Sequence, residues 1–499
     1  MIRKSLISIF LLLIVLSGSA QATYYQFTEN CKSAYQKLLY LQLDSASIFI
    51  SQEKAAYPKN LFPLLLENYQ DFLQLVLTED KQLFNQLENQ KKQRLNLWED
   101  GPKSSPWHLA GQAQIKLQWA FTRVLFDEYF TAATEINSAY HLLEENKKLF
   151  PDFHSDNMGI GILHSMIGVV PDQYQWAMEM LGLHGSIEQG IKEMQEQLIL
   201  DSSNTFSKEA LFYYTFVRLN LQTDSSRFTE LLSYYEQYAY KFCTDNSPIL
   251  HFSKAVILLN FNNDLAIDFL RKSPTPDGSL DFYYPSFLLG QALLYRLDEH
   301  AVGYLNDYIQ YYPGKIFKKT ALQRSAWWSF IKKDTLAYQQ KMQRINTIGS
   351  TILDADKVAE KESKKVADGW LPNLYLLRSR LQFDGHYYQG ALNELATLET
   401  MNNQPEVQLE FYYRKGRIHH EMNQIKEAKK AYQMALDIGQ NSDRKFAANA
   451  ALKLGEITEN ANDYTKASHF YQLVLDLDFT EYRKGIRAKA KAGLQRVEE

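Results

Sequence analysis

Cysteine is nearly absent from this chain: two residues in 499, Cys31 and Cys243. Two thiols build neither a disulfide scaffold nor a thiolate metal site, and spacing alone leaves open whether they pair. Proline (13) and glycine (22) are sparse, which argues against a turn-rich β architecture and favours long helices. Neither sign of charge prevails. With a formal net charge of −4, no whole-protein field draws the chain to nucleic acid or anionic lipid. Beyond the N-terminus no apolar run approaches the roughly 20 residues that cross a bilayer. The sequence also lacks G-x-S-x-G, the phosphate-binding loop, a dinucleotide glycine motif after a strand, and H-E-x-x-H. Neither a cofactor nor a metal is expected, and the chain reads as non-enzymatic.

What is present begins with a leader. Arg3 and Lys4 precede an apolar run from Leu6 to Leu16, which ends in Ser17-Gly-Ser-Ala20-Gln-Ala22. That order predicts a secretory signal over 1–22, cleaved after Ala22 to leave Thr23, and hence a periplasmic or extracellular protein without stable membrane insertion. The remaining length exceeds a single compact core, so several domains or an elongated array must follow. Aromatics are abundant, with 32 Tyr and 28 Phe. Tyr suits packed helix pairs because its ring fills the gap between helices while the hydroxyl reaches a carbonyl or water.

An internal repeat is clearest at the C-terminal end. Tyr412-Tyr-Arg-Lys-Gly416-Arg-Ile-His419 is followed by Ala428-x3-Tyr432-x2-Ala435, and Gly455, Ala467 and Tyr471 repeat its small and aromatic positions 39 residues on. Ser379, Ala391 and Leu395 hold the same places 37 residues earlier. Gly290, Ala301, Leu305 and Pro313 match with a shorter inner turn, and Ala34, Ala46, Ile50 and Pro58 match loosely. The steric reason is simple. Two helices cross closely only where one side carries almost no side chain, and a ring then fills the space one turn later. On these residues the chain resembles the tetratricopeptide repeat, which implies an all-α solenoid of antiparallel helix pairs.

One stretch departs from the repeat. Gly159-Ile-Gly161-Ile-Leu163-His-Ser165-Met-Ile167 leads to Pro171, then Leu181-Gly-Leu-His-Gly185 and Gly190-Ile191. Residues 159–191 resemble the eukaryotic tetratricopeptide family that includes the yeast outer-mitochondrial inclusion-clearance protein. That family carries Phe in its Leu-Gly-Phe turn and Asp-Arg after the next Gly, where Leu183 and Ser186-Ile187 stand here. The resemblance implies a shared fold and says little about function. The chain thus divides into the leader 1–22, an irregular helical region 23–200 with a glycine-rich corner at 159–190, helix pairs over 201–350, and C-terminal repeats with a capping helix over 351–499. The charge-dense segment from Asp354 to Asp368 reads as a solvated helix or connection.

Chemistry-bearing residues are few. His419 sits where the repeat wants a ring against the neighbouring helix and reads as a packed histidine. Of the adjacent Trp327 and Trp328, one belongs in the core and the other at a groove or surface. His164 and His184 flank the glycine segment, and they mark the alternative of an enzyme or small-ligand carrier with a pocket in 150–200. The resemblance to the repeat instead places a partner-binding groove on first-helix positions: Arg380, then Tyr413, Arg414 and Arg417, then Lys453 and Glu456. The family's clamp for acidic chaperone tails needs Lys and Asn where Leu376 with Arg380, or Tyr413 with Arg417, stand, so that clamp is not supplied. The favoured reading is an exported scaffold or adaptor that holds a protein or peptide and not nucleic acid.

Overall fold

In a computed structural model, the structure describes residues 22–170, 175–200, 206–222, 227–241, 247–399 and 404–498. The leader, Pro171 and Cys243 lie outside the described residues. Among those described the chain is all α, with one isolated parallel bridge between Tyr24 and Asn60. None of the described helices is long and apolar enough to cross a membrane. The helices pack mostly with their chain neighbours, as antiparallel pairs in a tetratricopeptide-like solenoid. The chain divides into two units, 1–257 with 273–282, and 258–272 with 283–499.

A single turn geometry repeats within both units. At Leu41, Asp127, Leu297, Lys333, His386, Asn423 and Asn462 the backbone is left-handed, with φ between 58° and 64°. In each case the next residue's N–H donates to the carbonyl five positions back, as Gln42 does to Lys37, Glu128 to Arg123 and Asp463 to Thr458. This is the Schellman closure that satisfies the last carbonyls of a helix and turns the chain straight into its partner. Glycine occupies none of these seven positions; Asp127, Asn423 and Asn462 are types that tolerate this geometry, while Leu41, Leu297 and Lys333 carry no such signal.

The first unit runs through the pairs Glu29–Leu39 with Leu43–Ala56, Phe62–Thr78 with Lys81–Glu99, and Trp107–Leu125 with Tyr129–Leu149. Asn157–Gly168 and Ile187–Leu200 then cross at the glycine-rich corner. A Cβ on Gly190 would lie 2.1 Å from the Gly161 carbonyl oxygen, so the two backbones touch there. The aromatic core gathers Tyr35, Phe62, Trp98, Trp119 and Phe206. The Pro274–Gly278 break returns the chain to this unit, where Leu280 N–H donates to the Leu41 carbonyl at 2.8 Å.

The second unit contains the pairs Tyr284–Tyr295 with Ala301–Tyr311, Lys318–Ile331 with Thr335–Arg344, Leu374–Asp384 with Tyr388–Glu399, Pro405–Glu421 with Ile425–Ile438, and Phe446–Glu459 with Tyr464–Asp476. The small-to-large register holds in three dimensions. A Cβ on Gly416 would meet the Tyr432 ring at 2.6 Å, one on Gly455 the Tyr471 ring at 2.6 Å, and one on Gly290 the Leu305 side chain at 2.9 Å. The closing helix Arg483–Glu498 also packs against Tyr471, through Gly493.

The charge-dense helix Asp354–Ala367 is not simply solvated. Asp356 is fully buried and accepts from Phe317 N–H at 2.8 Å and from Thr320 N–H at 2.9 Å, capping the start of Lys318–Ile331. A carboxylate at a helix N-terminus meets otherwise orphaned donors, which is how a charged sequence takes on a docked role.

Candidate partner-binding face

The first helices of successive pairs in the second unit touch one another in order: Tyr284–Tyr295, Lys318–Ile331, Leu374–Asp384, Pro405–Glu421, Phe446–Glu459, then the closing helix. Equivalent positions on stacked repeats share one face. Along it runs a row of arginines lying over rings. Arg324 lies 5.0 Å from the Phe287 ring centre, Arg380 4.2 Å from Trp327, and Arg417 4.2 Å from Phe383. In each case the arginine reaches the ring of the preceding first helix. Trp327 and Phe383 themselves follow Arg324 and Arg380 by three residues, one turn on, so the same two positions both give and receive.

The row is short of counter-charge. No ion pair forms to Arg324, Arg380 or Arg417 among the described residues, whereas Arg378 pairs with Glu394 at 2.7 Å. Arg380 Nη2, and Nε and Nη1 of Arg324, are buried without a hydrogen-bond acceptor. Burial lowers the Arg324 guanidinium from its ordinary range, opposed by Tyr295 and by Asp384. Glu410 is the central acid. Burial pushes it up, but Arg414, Arg444 and Arg380 outweigh this and hold its carboxyl below the usual range. Lys445 is driven down by burial, with Glu481 opposing and Arg414 and Arg380 adding to the fall.

The residues expected to line the groove fall into two kinds. Arg380 and Arg417 take equivalent places in the row. Tyr413 turns towards the neighbouring helices, with ring centres 5.4 Å from Phe446 and 6.3 Å from Tyr432. Arg414 Nε donates to Glu410 at 2.9 Å, and Lys453 pairs with Glu456 at 2.5 Å one turn on, so these are partnered within the chain. The histidine expectation is corrected by one residue. His419 Nδ1 meets Gln424 Oε1 at 2.6 Å near solvent, while His420 lies edge-on to the Tyr432 ring at 6.1 Å. The helix rotates by about 100° between the two, which places the second against the core. Trp327 is the buried one of its pair and donates from Nε1 to Glu362 at 2.7 Å.

The glycine corner of the first unit holds a different arrangement. His164 is 2% exposed, its Nδ1 lies 2.6 Å from Glu193 Oε2, and Gly185 packs on its backbone. His184 meets the Tyr140 hydroxyl through its backbone. Neither ring lines the nearby cavity, which is bounded by Tyr69, Trp107, Gln114, Asp156, Met158, Gly159 and Phe206 among others. That cavity measures about 30 Å³, room for about one water and not for a metabolite. Two acids beside it are pushed up to about 7 by burial: Asp156, held by Asn146, and Glu209, which accepts from the Tyr35 and Tyr69 hydroxyls at 2.9 and 2.6 Å. They are core groups satisfied by hydroxyl and amide donors.

Arg324, Phe287, Phe383 and Lys445 are not marked by the sequence pattern, whereas Glu410 falls on a first-helix groove position by the repeat register. The signal that finds Arg324 and Phe383 is Arg-x-x-ring, present as Arg324–Trp327, Arg380–Phe383 and Arg417–His420. It becomes visible once the register is known.

Comparison with known proteins adds the following. The family model described as Iml2/Tetratricopeptide repeat protein 39 matches residues 25–277, just over half of the chain and far beyond the glycine segment. A tetratricopeptide repeat model matches residues 409–441. A chain in the crystal structure of the APC/C hetero-tetramer Cut9-Hcn1 aligns at 12% identity over 95% of this chain and 97% of its own, with a TM-score of 0.23. No curated protein matches.

Proposed function

The chain belongs to the Iml2/Tetratricopeptide repeat protein 39 family, and from that premise we propose that it is an exported, non-catalytic scaffold that holds protein or peptide partners on the first-helix face of its second unit. The observation that carries this reading is the row of half-buried arginines, fixed on rings and lacking counter-charges of their own. Stacked repeats present such equivalent side chains as one extended surface, and side chains held in place beforehand lose little entropy when a partner binds. Arginine and aromatic residues are also the types that dominate binding energy at protein interfaces.

Export rests on Arg3, Lys4, the apolar run and the small residues up to Ala22. It places the partner in the periplasm or outside the cell, and mass spectrometry of the native protein should find an N-terminus at Thr23. For binding, the immobilised mature chain should capture partners from its own cells. Arg417→Glu should weaken that capture at least tenfold while leaving the helical spectrum and melting temperature in place. Undiminished capture by folded Arg417→Glu and Arg380→Glu chains would refute this face as the binding site.

A further inference from the structure

The arginine row also carries information about what kind of partner segment fits it, and that step rests on the protein-binding reading above. Three guanidinium groups, on Arg324, Arg380 and Arg417, are half-buried, lie over rings, and form no ion pair among the described residues. Lys445 adds a fourth cation, its ammonium 4.4 Å from the Tyr482 ring centre and likewise without an ion pair. Acids within electrostatic reach include Glu410, Glu481, Asp384, Glu421 and Asp356, the last held by the Phe317 and Thr320 N–H groups. Glu410 is taken by Arg414 and Arg444, and Glu481 by Lys365 at 2.7 Å. Partly desolvated cations without counter-ions are costly, and the three guanidinium groups and the Lys445 ammonium remain donors for an oxyanion.

The rings under the row decide between classes of polyanion. A single-stranded nucleic acid needs open aromatic faces on which bases stack. Here the guanidinium planes of Arg380 and Arg417 cover Trp327 and Phe383, so the row offers cationic edges where bases would need ring faces. We propose that this face binds an extended, carboxylate-rich segment of a protein, with successive Glu or Asp side chains meeting Arg324, Arg380 and Arg417 and the acidic run continuing towards Lys445.

Fluorescence anisotropy on the full mature chain tests this with three labelled peptides: a Glu-Ser repeat, its Gln-Ser counterpart, and a version carrying phosphoserine in place of Glu. The Glu-Ser peptide should bind, and more weakly as salt is raised, while the Gln-Ser peptide should not. Arg380→Gln and Arg417→Gln should each weaken binding about tenfold or more, the loss of one charge-assisted contact, and Arg380→Lys should lose less than Arg380→Gln. Should Arg380→Gln unfold, Arg417→Gln and the Glu-against-Gln contrast on the unaltered chain still decide. Equal binding of Glu-Ser and Gln-Ser peptides, or unchanged affinity in folded Arg417→Gln, overturns the proposal. So does a preference of more than tenfold for the phosphoserine peptide, which assigns the row to phosphate, or displacement of the Glu-Ser peptide by a single-stranded oligonucleotide at equal charge. If the Glu-Ser peptide fails while Arg417→Glu still abolishes partner capture, this proposal falls and the scaffold reading stands. If capture is indifferent to the face as well, both fall.

Discussion

Gly416→Ala tests the repeat register at its tightest point. Built on the existing backbone, the new Cβ would lie 2.6 Å from Tyr432 Cδ1 and 2.7 Å from Cε1. Ordinary contact begins near 3.4 Å, so the overlap approaches an ångström. The ring has little room to yield: Tyr432 is 1% exposed, with Tyr413 and His420 against it. Two effects oppose each other. Alanine gains up to about 1 kcal/mol over glycine in a helix interior, while overpacking a close-packed site costs roughly 1–3 kcal/mol. The clash should win, for a net loss of about 1 kcal/mol. In a Tyr432→Leu background the ring is gone and the sign should reverse, with Gly416→Ala then stabilising by roughly 0.5–1 kcal/mol. The coupling between the two sites would be about 1–3 kcal/mol. Because repeat arrays open piecewise, the quantity to read is the amide-exchange free energy of the helices Pro405–Glu421 and Ile425–Ile438. A stabilising Gly416→Ala with Tyr432 in place, or the same effect in both backgrounds, would refute the register.

Gly190→Ala should cost about 3 kcal/mol or more, since the new methyl meets the Gly161 carbonyl and Ser165 rather than a movable side-chain end; a first-unit melting temperature within a degree or so of the parent would contradict the backbone crossing. Glu209 has a folded pKa of about 7 against an ordinary 4.5, because burial disfavours its charge. A raised acid binds its proton more tightly when folded, so its contribution to stability is full below about 4.5, falls as pH rises to about 7, and is flat above. Glu209→Gln should therefore stabilise by roughly 3 kcal/mol at pH 8 and by little at pH 4, and a gain independent of pH would sink this account. Arg123 is buried among Glu88, Glu128 and Glu135. Arg123→Met strands Glu135 with Lys91 alone and should cost about 3 kcal/mol, read from tryptophan fluorescence during urea unfolding; an unmoved midpoint would show that the network adds nothing.

The sequence by itself determined the helical class and the C-terminal register. Small residues opposite rings, at Gly416 and Tyr432 or Gly455 and Tyr471, encode a helix crossing directly, because close packing leaves no other way to fill that space. The sequence also placed Arg380 and Arg417 at equivalent positions. It left several features hidden. The tight turns at Leu41 and Lys333 use residues without a turn signature, so the pair Glu29–Leu39 with Leu43–Ala56 and the pair Lys318–Ile331 with Thr335–Arg344 stood out poorly. The chemistry of the face was hidden too. Whether an arginine meets a carboxylate, as Arg414 does, or a ring, as Arg380 does, depends on which residue the preceding helix brings opposite it. Likewise Asp356 became a buried cap only because its helix docks on the start of Lys318–Ile331. Local periodicity fixes what each helix is and which stripe it buries. The partner of each charged side chain is set by contacts between segments tens of residues apart, and those exist only once the helices have stacked.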